Sequence, residues 1–423
     1  MPFFLHDAGS HVKNSQIFLH ERNHSSQGSL TYAIWYDSFR HTQMNTGNVR
    51  KLLPLDIDLE TKSVLKMVNL ANMKLAELKG LEQLIPNEEI LIQTLTLQEA
   101  RESSSLENIV TTQDELYRAD LNLKGSAVSG PTKEVMRYRI ALREGFDLVR
   151  TQKLLTNNII LDIQRALEEN QAGFRKLPGT VLKNQKGEVI YTPPQDGEEV
   201  LQLMQNLEIY INTPELQDID PLIKLAVIHY QFETIHPFYD GNGRTGRILC
   251  VLYLIINNLL DLPILYLSRY ITRNKQEYYH LLQSIRESDY APEQWEQWVL
   301  YILRGIEQTA NETIRLIKDI SALMKEYKQC LREKLNSIYS HDLLNCLFYS
   351  PYTKVEHIST RLGVSRPTAT KYLDAIANLG LLTKTKIWRQ NYYINSRLVA
   401  ILAHEESEVI APGELIRTIH VQQ

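Results

Sequence analysis

The sequence predicts a mainly α protein, a helical bundle broken by one β-hairpin and followed by a C-terminal winged helix. Three observations carry this. From Leu59 to about Asn336 one apolar-periodic stretch follows another, separated by caps and breakers such as Gly130-Pro131, Thr213-Pro214 and Asp261-Leu-Pro263. Within that run only Gly179 to Pro194 reads as strand, two short β-prone pieces around Asn184-Gln185-Lys186-Gly187. After His341 the order becomes short helix, second short helix, tight turn, third helix and an alternating stretch, which is helix-turn-helix followed by a hairpin.

In chain order, residues 1–48 are rich in His, Ser, Asn and Gln and hold no sustained period, so they read as a poorly ordered or atypical extension. Residues 49–150 form an N-terminal helical region that opens with an amphipathic helix from about Leu59 to Lys79. A core is expected over 151–290, in which Asp220-Pro221 caps a helix carrying Leu222, Leu225, Ala226 and Phe232. Residues 291–338, with Trp295, Trp298, Leu300, Ile302, Leu303 and Ile306, supply linking helices. Residues 339–423 hold the winged helix and a tail, with Ser365 as N-cap and Gly380 as helix stop.

Bulk properties exclude several classes. A net charge of -4 and a pI near 6.3 give no whole-chain nucleic-acid signal. Cys250, Cys330 and Cys346 are too scattered for a disulfide framework or a zinc cluster, so a reducing compartment, the cytoplasm, is the expectation. Neither a transmembrane run nor a signal-peptide pattern is found.

The most informative segment is His236-Pro-Phe-Tyr-Asp-Gly-Asn-Gly-Arg-Thr. Two glycines flanking an Asn favour positive φ and bare successive N–H groups, an anion nest. The helix that follows adds the attraction of its N-terminus for negative charge. Arg244 and Arg247, three apart on one face, add bidentate phosphate donors, so a polyphosphate is the expected ligand. The chain has no G-x-x-x-x-G-K-[ST] loop. His229, Glu233 and His236 are spaced neither as H-E-x-x-H nor as H-x-x-E-H, which leaves a metal-helix reading as the lesser alternative.

His236-Pro-Phe-Tyr-Asp-Gly-Asn-Gly-Arg-Thr-Gly-Arg247 resembles, without departure, the Fic family signature H-P-F-x-[DE]-G-N-G-R-x-x-R. The resemblance implies a Fic-type helical bundle and transfer of AMP from ATP to a Ser, Thr or Tyr hydroxyl of a protein. It implies His236 as the base for the attacking hydroxyl and Asp240 as the Mg²⁺ ligand. Gly241, Asn242 and Gly243 would stabilise charge on the α-phosphate, Arg244 would orient the phosphates and Arg247 would grip the γ-phosphate. Phe238 reads as a core anchor of the loop.

Upstream, Ser103 and Glu107 lie four apart on one side of a helix, followed by Asn108. This resembles the family's inhibitory element [ST]-x-x-x-E-[GN], in which the Glu pairs with the second signature arginine, here Arg247, and contests the γ-phosphate. The hairpin resembles the family's flap, with Thr180, Val181 and Leu182 positioned to hold the target segment by edge pairing. Asn274, Tyr278 and Tyr279 on a downstream helix either wall the adenine or belong to the core.

In the C-terminal segment Lys354, Arg361, Arg366, Lys371, Lys384, Lys386 and Arg389 outnumber Asp342, Glu356 and Asp374. This small excess supports only weak non-specific affinity for DNA, and binding of protein or formation of a homodimer are the other uses weighed. Two classes therefore compete: an adenylyltransferase using ATP and Mg²⁺ on a target protein or on itself, and a nucleotide-sensing winged-helix transcription regulator. An intact His236 favours the enzyme. A third reading has Glu107 position a water that removes AMP from a modified protein.

Overall fold

The Thr61 hydroxyl accepts a hydrogen bond from the Val64 N–H at 3.3 Å and starts α1, Lys62–Leu81, slightly later than the apolar period suggests. The computed structural model describes residues 52–121, 128–184, 186–387 and 390–403; the extension predicted over 1–48, Arg389 and the tail beyond 403 lie outside the described residues. Asn87 caps α2, Glu88–Leu106, which is buried along most of its length. After α3, Gln113–Leu121, the Ser129 hydroxyl caps α4, Gly130–Gln152, with Pro131 in its first turn, so Gly130-Pro131 opens a helix. Thr156 caps α5, Asn157–Glu168.

The hairpin forms with shorter strands than its sequence suggests: β1, Leu182–Lys183, pairs antiparallel with β2, Val189–Tyr191, across an irregular register. Asn184 Oδ1 sets the turn, accepting from the Lys186 and Glu188 N–H groups, each at 3.0 Å. Helix α6, Gly197–Asn212, leads to the two central helices, α7, Pro221–Ile235, and α8, Asn242–Ile256. Both are apolar on nearly every face and pack on each other, α8 also against α4 and α5. Helices α9, Leu267–Arg273, and α10, Lys275–Glu287, complete the wall around them, α9 lying against α2.

The expected linking helices are one rod, α11, Pro292–Lys334, of 43 residues and about 65 Å. Its first half carries buried Trp295 and Trp298, the Trp298 Nε1–H donating to the Ala226 carbonyl of α7 at 2.9 Å. Its far half carries buried Tyr327, whose hydroxyl lies 2.6 Å from the Leu381 carbonyl and 3.0 Å from Asn395 Oδ1.

These acceptors belong to the C-terminal segment, which runs α12, His341–Tyr349; β3, Tyr352–Thr353; α13, Val355–Leu362; α14, Arg366–Asn378; β4, Thr383–Ile387; β5, Gln390–Ile394; and α15, Ser396–Ala403. The strands form an antiparallel sheet in the order β3-β5-β4, and Ser365 caps α14 as expected. α12 packs on α2, and the Tyr352 hydroxyl donates to Asp114 of α3 at 2.8 Å. All three cysteines are free, and no described helix is long and apolar enough to cross a membrane.

Candidate functional site

The signature segment links α7 to α8, and its own atoms hold its shape. His236 ends α7 in the left-handed region at φ 51°, its N–H reaching the Phe232 carbonyl at 2.9 Å. Gly241, at φ 79°, is the N-cap of α8. Between them both ends of the Asn242 side chain bond the backbone of Phe238, accepting from its N–H and donating to its carbonyl, each at 2.8 Å. Phe238 is buried between Phe174 and Phe232, as a core anchor should be. Asn242 is thus a fastening of the loop. A Cβ at Gly241 would stand 2.5 Å from Glu168 Oε1, so Gly241→Ala adds a clash to a strained φ. The substitution should lower stability by about 1–3 kcal/mol, read from thermal unfolding.

A second segment braces this loop almost residue by residue. Arg175 Nε donates to the His236 carbonyl at 2.7 Å and Nη2 to the Ile235 carbonyl at 3.2 Å, while the Arg175 N–H donates to the Pro237 carbonyl at 2.8 Å. The N–H groups of Lys176 and Leu177 donate to the Tyr239 hydroxyl at 3.1 and 3.2 Å. The sequence gives no periodic or motif signal for this brace, since only backbone proximity defines it.

A cavity of about 1040 Å³ opens beside the loop, and His236, Gly243, Arg247, Asn274, Tyr278 and Tyr279 are among its lining residues. Arg247 is 2% exposed, and three of its contacts go to one helix end: Nε to Ser103 Oγ at 2.7 Å, and Nη2 to the Ser103 carbonyl at 3.0 Å and to Glu107 Oε1 at 2.8 Å. Glu107 is the C-cap of α2. Asn108 follows at φ 63°, its N–H bonding the Ser105 carbonyl and the Ile109 N–H the Ser104 carbonyl, both at 3.0 Å, the paired closure of a Schellman motif. The residue after Glu107 must therefore tolerate the left-handed region, which Asn does. The closure leaves Glu107 Oε1 so close over Gly243 that a Cβ there would collide with it. The carboxylate stands over the first turn of α8.

Other predicted residues are placed differently. Arg244 does not line the cavity: it is buried and its guanidinium pairs with Glu168 at 2.7 Å and Glu134 at 3.5 Å, tying the loop to α5 and α4. Asp240 is exposed, with Oδ1 accepting from the Gly241 N–H at 2.7 Å. Val181 and Leu182 of the flap line the cavity; Thr180 does not, its carbonyl accepting from Gln195 at 2.9 Å. Asn274 Nδ2 donates to the Tyr270 carbonyl. Tyr278 is core as well as wall, buried against Trp298 with its hydroxyl 2.9 Å from His229 Nε2, whereas Tyr279 is 42% exposed. His229 therefore faces the core.

Electrostatics divide the roles. Burial, and after it the Arg175 and Arg286 guanidiniums, push the His236 imidazole down to about 4, so it is neutral at ordinary pH. Burial works to raise the Glu107 carboxyl, but the charge and hydrogen bond of Arg247 leave it below the usual range. Glu233, which also lines the cavity, is pushed up to about 7 by burial against the pull of Arg247.

The same segments match known proteins. Family models described as Fic/DOC family N-terminal, Fic/DOC family, and Protein adenylyltransferase SoFic-like, C-terminal domain match residues 65–147, 154–254 and 323–398. The chain is 30% identical over 159 residues to the protein adenylyltransferase Fic of Drosophila grimshawi, covering 35% of this chain and 30% of that one. It is 34% identical over 105 residues to that of Drosophila yakuba, covering 24% and 19%. The match thus spans less than a third of those relatives. A Fic family protein from Desulfovibrio desulfuricans G20 shares the fold at a TM-score of 0.50, with 19% identity, over 79% of this chain and 96% of that one.

Proposed function

Because this chain belongs to the Fic/DOC family, we propose that it transfers AMP from ATP to a Ser, Thr or Tyr hydroxyl of a protein and that Glu107 holds the site off. The observation that carries this is the placement of a neutral imidazole, the start of α8 and a buried guanidinium along one cavity, with the Glu107 carboxylate on Arg247 and over Gly243. In the forward reaction His236 takes the proton of the attacking hydroxyl. That oxygen bonds the α-phosphorus, the bond to the β-phosphate oxygen breaks, and pyrophosphate leaves. Backbone N–H groups at the start of α8 stabilise the charge that develops on the α-phosphate.

Asp240 suits Mg²⁺, since this cation takes one or two carboxylates and completes its shell with substrate phosphates and water. Its exposed carboxylate at the loop spends Oδ1 on the Gly241 N–H. Bound there, the cation would neutralise phosphate charge. The flap offers Val181 and Leu182 to an extended target segment. Exposed Arg366 and Lys371 on α14 suit an acidic partner such as DNA, though Arg366 is already paired with Glu356 at 2.6 Å. The cytoplasm is the compartment this reading implies.

Incubation of the full chain and its Glu107→Gly variant with α-labelled ATP, Mg²⁺ and lysate tests the proposal. Label is expected on protein, most strongly with the variant. If neither form labels itself or any lysate protein, the transferase reading fails. Release of AMP from a pre-modified protein by wild type, but not by Glu107→Gly, would instead assign removal.

A further inference from the structure

We propose that Arg175, outside the signature, is a positioning residue of this site: its guanidinium holds the two carbonyls that precede Pro237 and so fixes His236 against the cavity. This rests on the transferase reading of His236. Arg175 is 1% exposed and lies 61 positions before His236. The carbonyls at a helix C-terminus have no partners within the helix, and the left-handed turn at His236 denies them a continuing strand of donors. A planar fork suits two neighbouring oxygens, and the contacts at 2.7 Å to His236 and 3.2 Å to Ile235 are those of a fork; an ammonium has no such shape. The Phe174 ring on Phe238 and the N–H groups of Lys176 and Leu177 on Tyr239 keep the brace from swinging away.

The fork also places a fixed charge beside the imidazole. Burial is the main influence against protonation of His236. Of the charges facing it, Arg175 acts first in the same sense and Arg286 of α10 second, while Glu107 of α2 and the Glu233 backbone of α7 favour the proton. The base form is therefore available across ordinary pH and is lost only as pH falls through about 4. Taking Arg175 away removes the strongest of the opposing charges, so the imidazole should hold its proton to higher pH, toward the ordinary value near 6.5.

The test uses the full chain with Arg175→Met and Arg175→Lys. AMP transfer is followed against pH in a Glu107→Gly background, and the His236 imidazole is titrated by NMR without that background change. Arg175→Met should lower kcat by a factor on the order of 10² with little change in the KM for ATP, and the imidazole titration should move upward. Arg175→Lys, keeping charge without the fork, should retain the low titration yet recover only part of kcat. A folded Arg175→Met protein with unchanged kcat or an unmoved titration overturns the proposal. If Arg175→Met does not fold, Arg175→Lys decides, and parental kcat in that variant overturns it. The titration needs no turnover, so a chain that transfers no AMP in any form would defeat the transferase reading while still showing whether Arg175 governs His236.

Discussion

His236→Ala is expected to cut AMP transfer by a factor on the order of 10² to 10⁴, measured as kcat/KM with α-labelled ATP in the Glu107→Gly background. The size follows from the loss of a general base with no nearby substitute. Glu233 also lines the cavity, but burial pushes its carboxyl up to about 7, so a large part of it already holds a proton at neutral pH. Alanine at φ 51° is strained, so His236→Asn, at ease in the left-handed region, separates chemistry from folding. Both variants should lose transfer while retaining ATP binding. A His236→Asn protein that turns over at the parental rate would remove His236 from the mechanism.

The second large effect is a gain. Glu107→Gly should raise transfer by about 5- to 150-fold, the span of a coupling worth about 1–3 kcal/mol, measured by the same label at saturating ATP. Arg247 now spends donors on Ser103 and Glu107, and the carboxylate lies over Gly243. In the proposed mechanism a γ-phosphate at Arg247 would meet a negative charge that is itself held ionised by that arginine. Glycine removes the charge and keeps the end of α2 free to close on Asn108. Added salt should leave the wild-type inhibition largely intact, because the guanidinium is buried and screening reaches it poorly. Equal rates for Glu107→Gly and wild type would sink autoinhibition.

The loop from His236 to Arg247 is legible in part because Gly241 and a helix start set its backbone locally; Gly243, also expected at positive φ, instead lies within α8. Fold class was legible for a related reason, since cap residues such as Asp220 and Ser365 declare helix starts in sequence. What sequence alone left undecided lies in long-range pairing. Glu107 and Arg247 are 140 positions apart, and in the sequence only the family resemblance connects them. Nothing in the sequence marks Arg175, because its partners are carbonyls, which every residue carries. The resemblance points Arg244 toward phosphate, yet its guanidinium pairs with Glu168 and Glu134 of two other helices, and neither acid stands near it in the chain. Tyr278 shows why wall and core could not be separated from sequence: one side of its ring meets Trp298 and another the cavity.

Helix α11 makes the distance between the catalytic half and the C-terminal half a matter of phase. Trp298 near one end and Tyr327 near the other are bonded to separate parts of the fold through a single unbroken rod. One residue inserted between them would turn everything beyond it by about 100° and advance it by about 1.5 Å. α12 would then leave its seat on α2, the helix that ends at Glu107. An insertion in this rod that does not restore the turn should therefore part Trp298 or Tyr327 from its partner carbonyl.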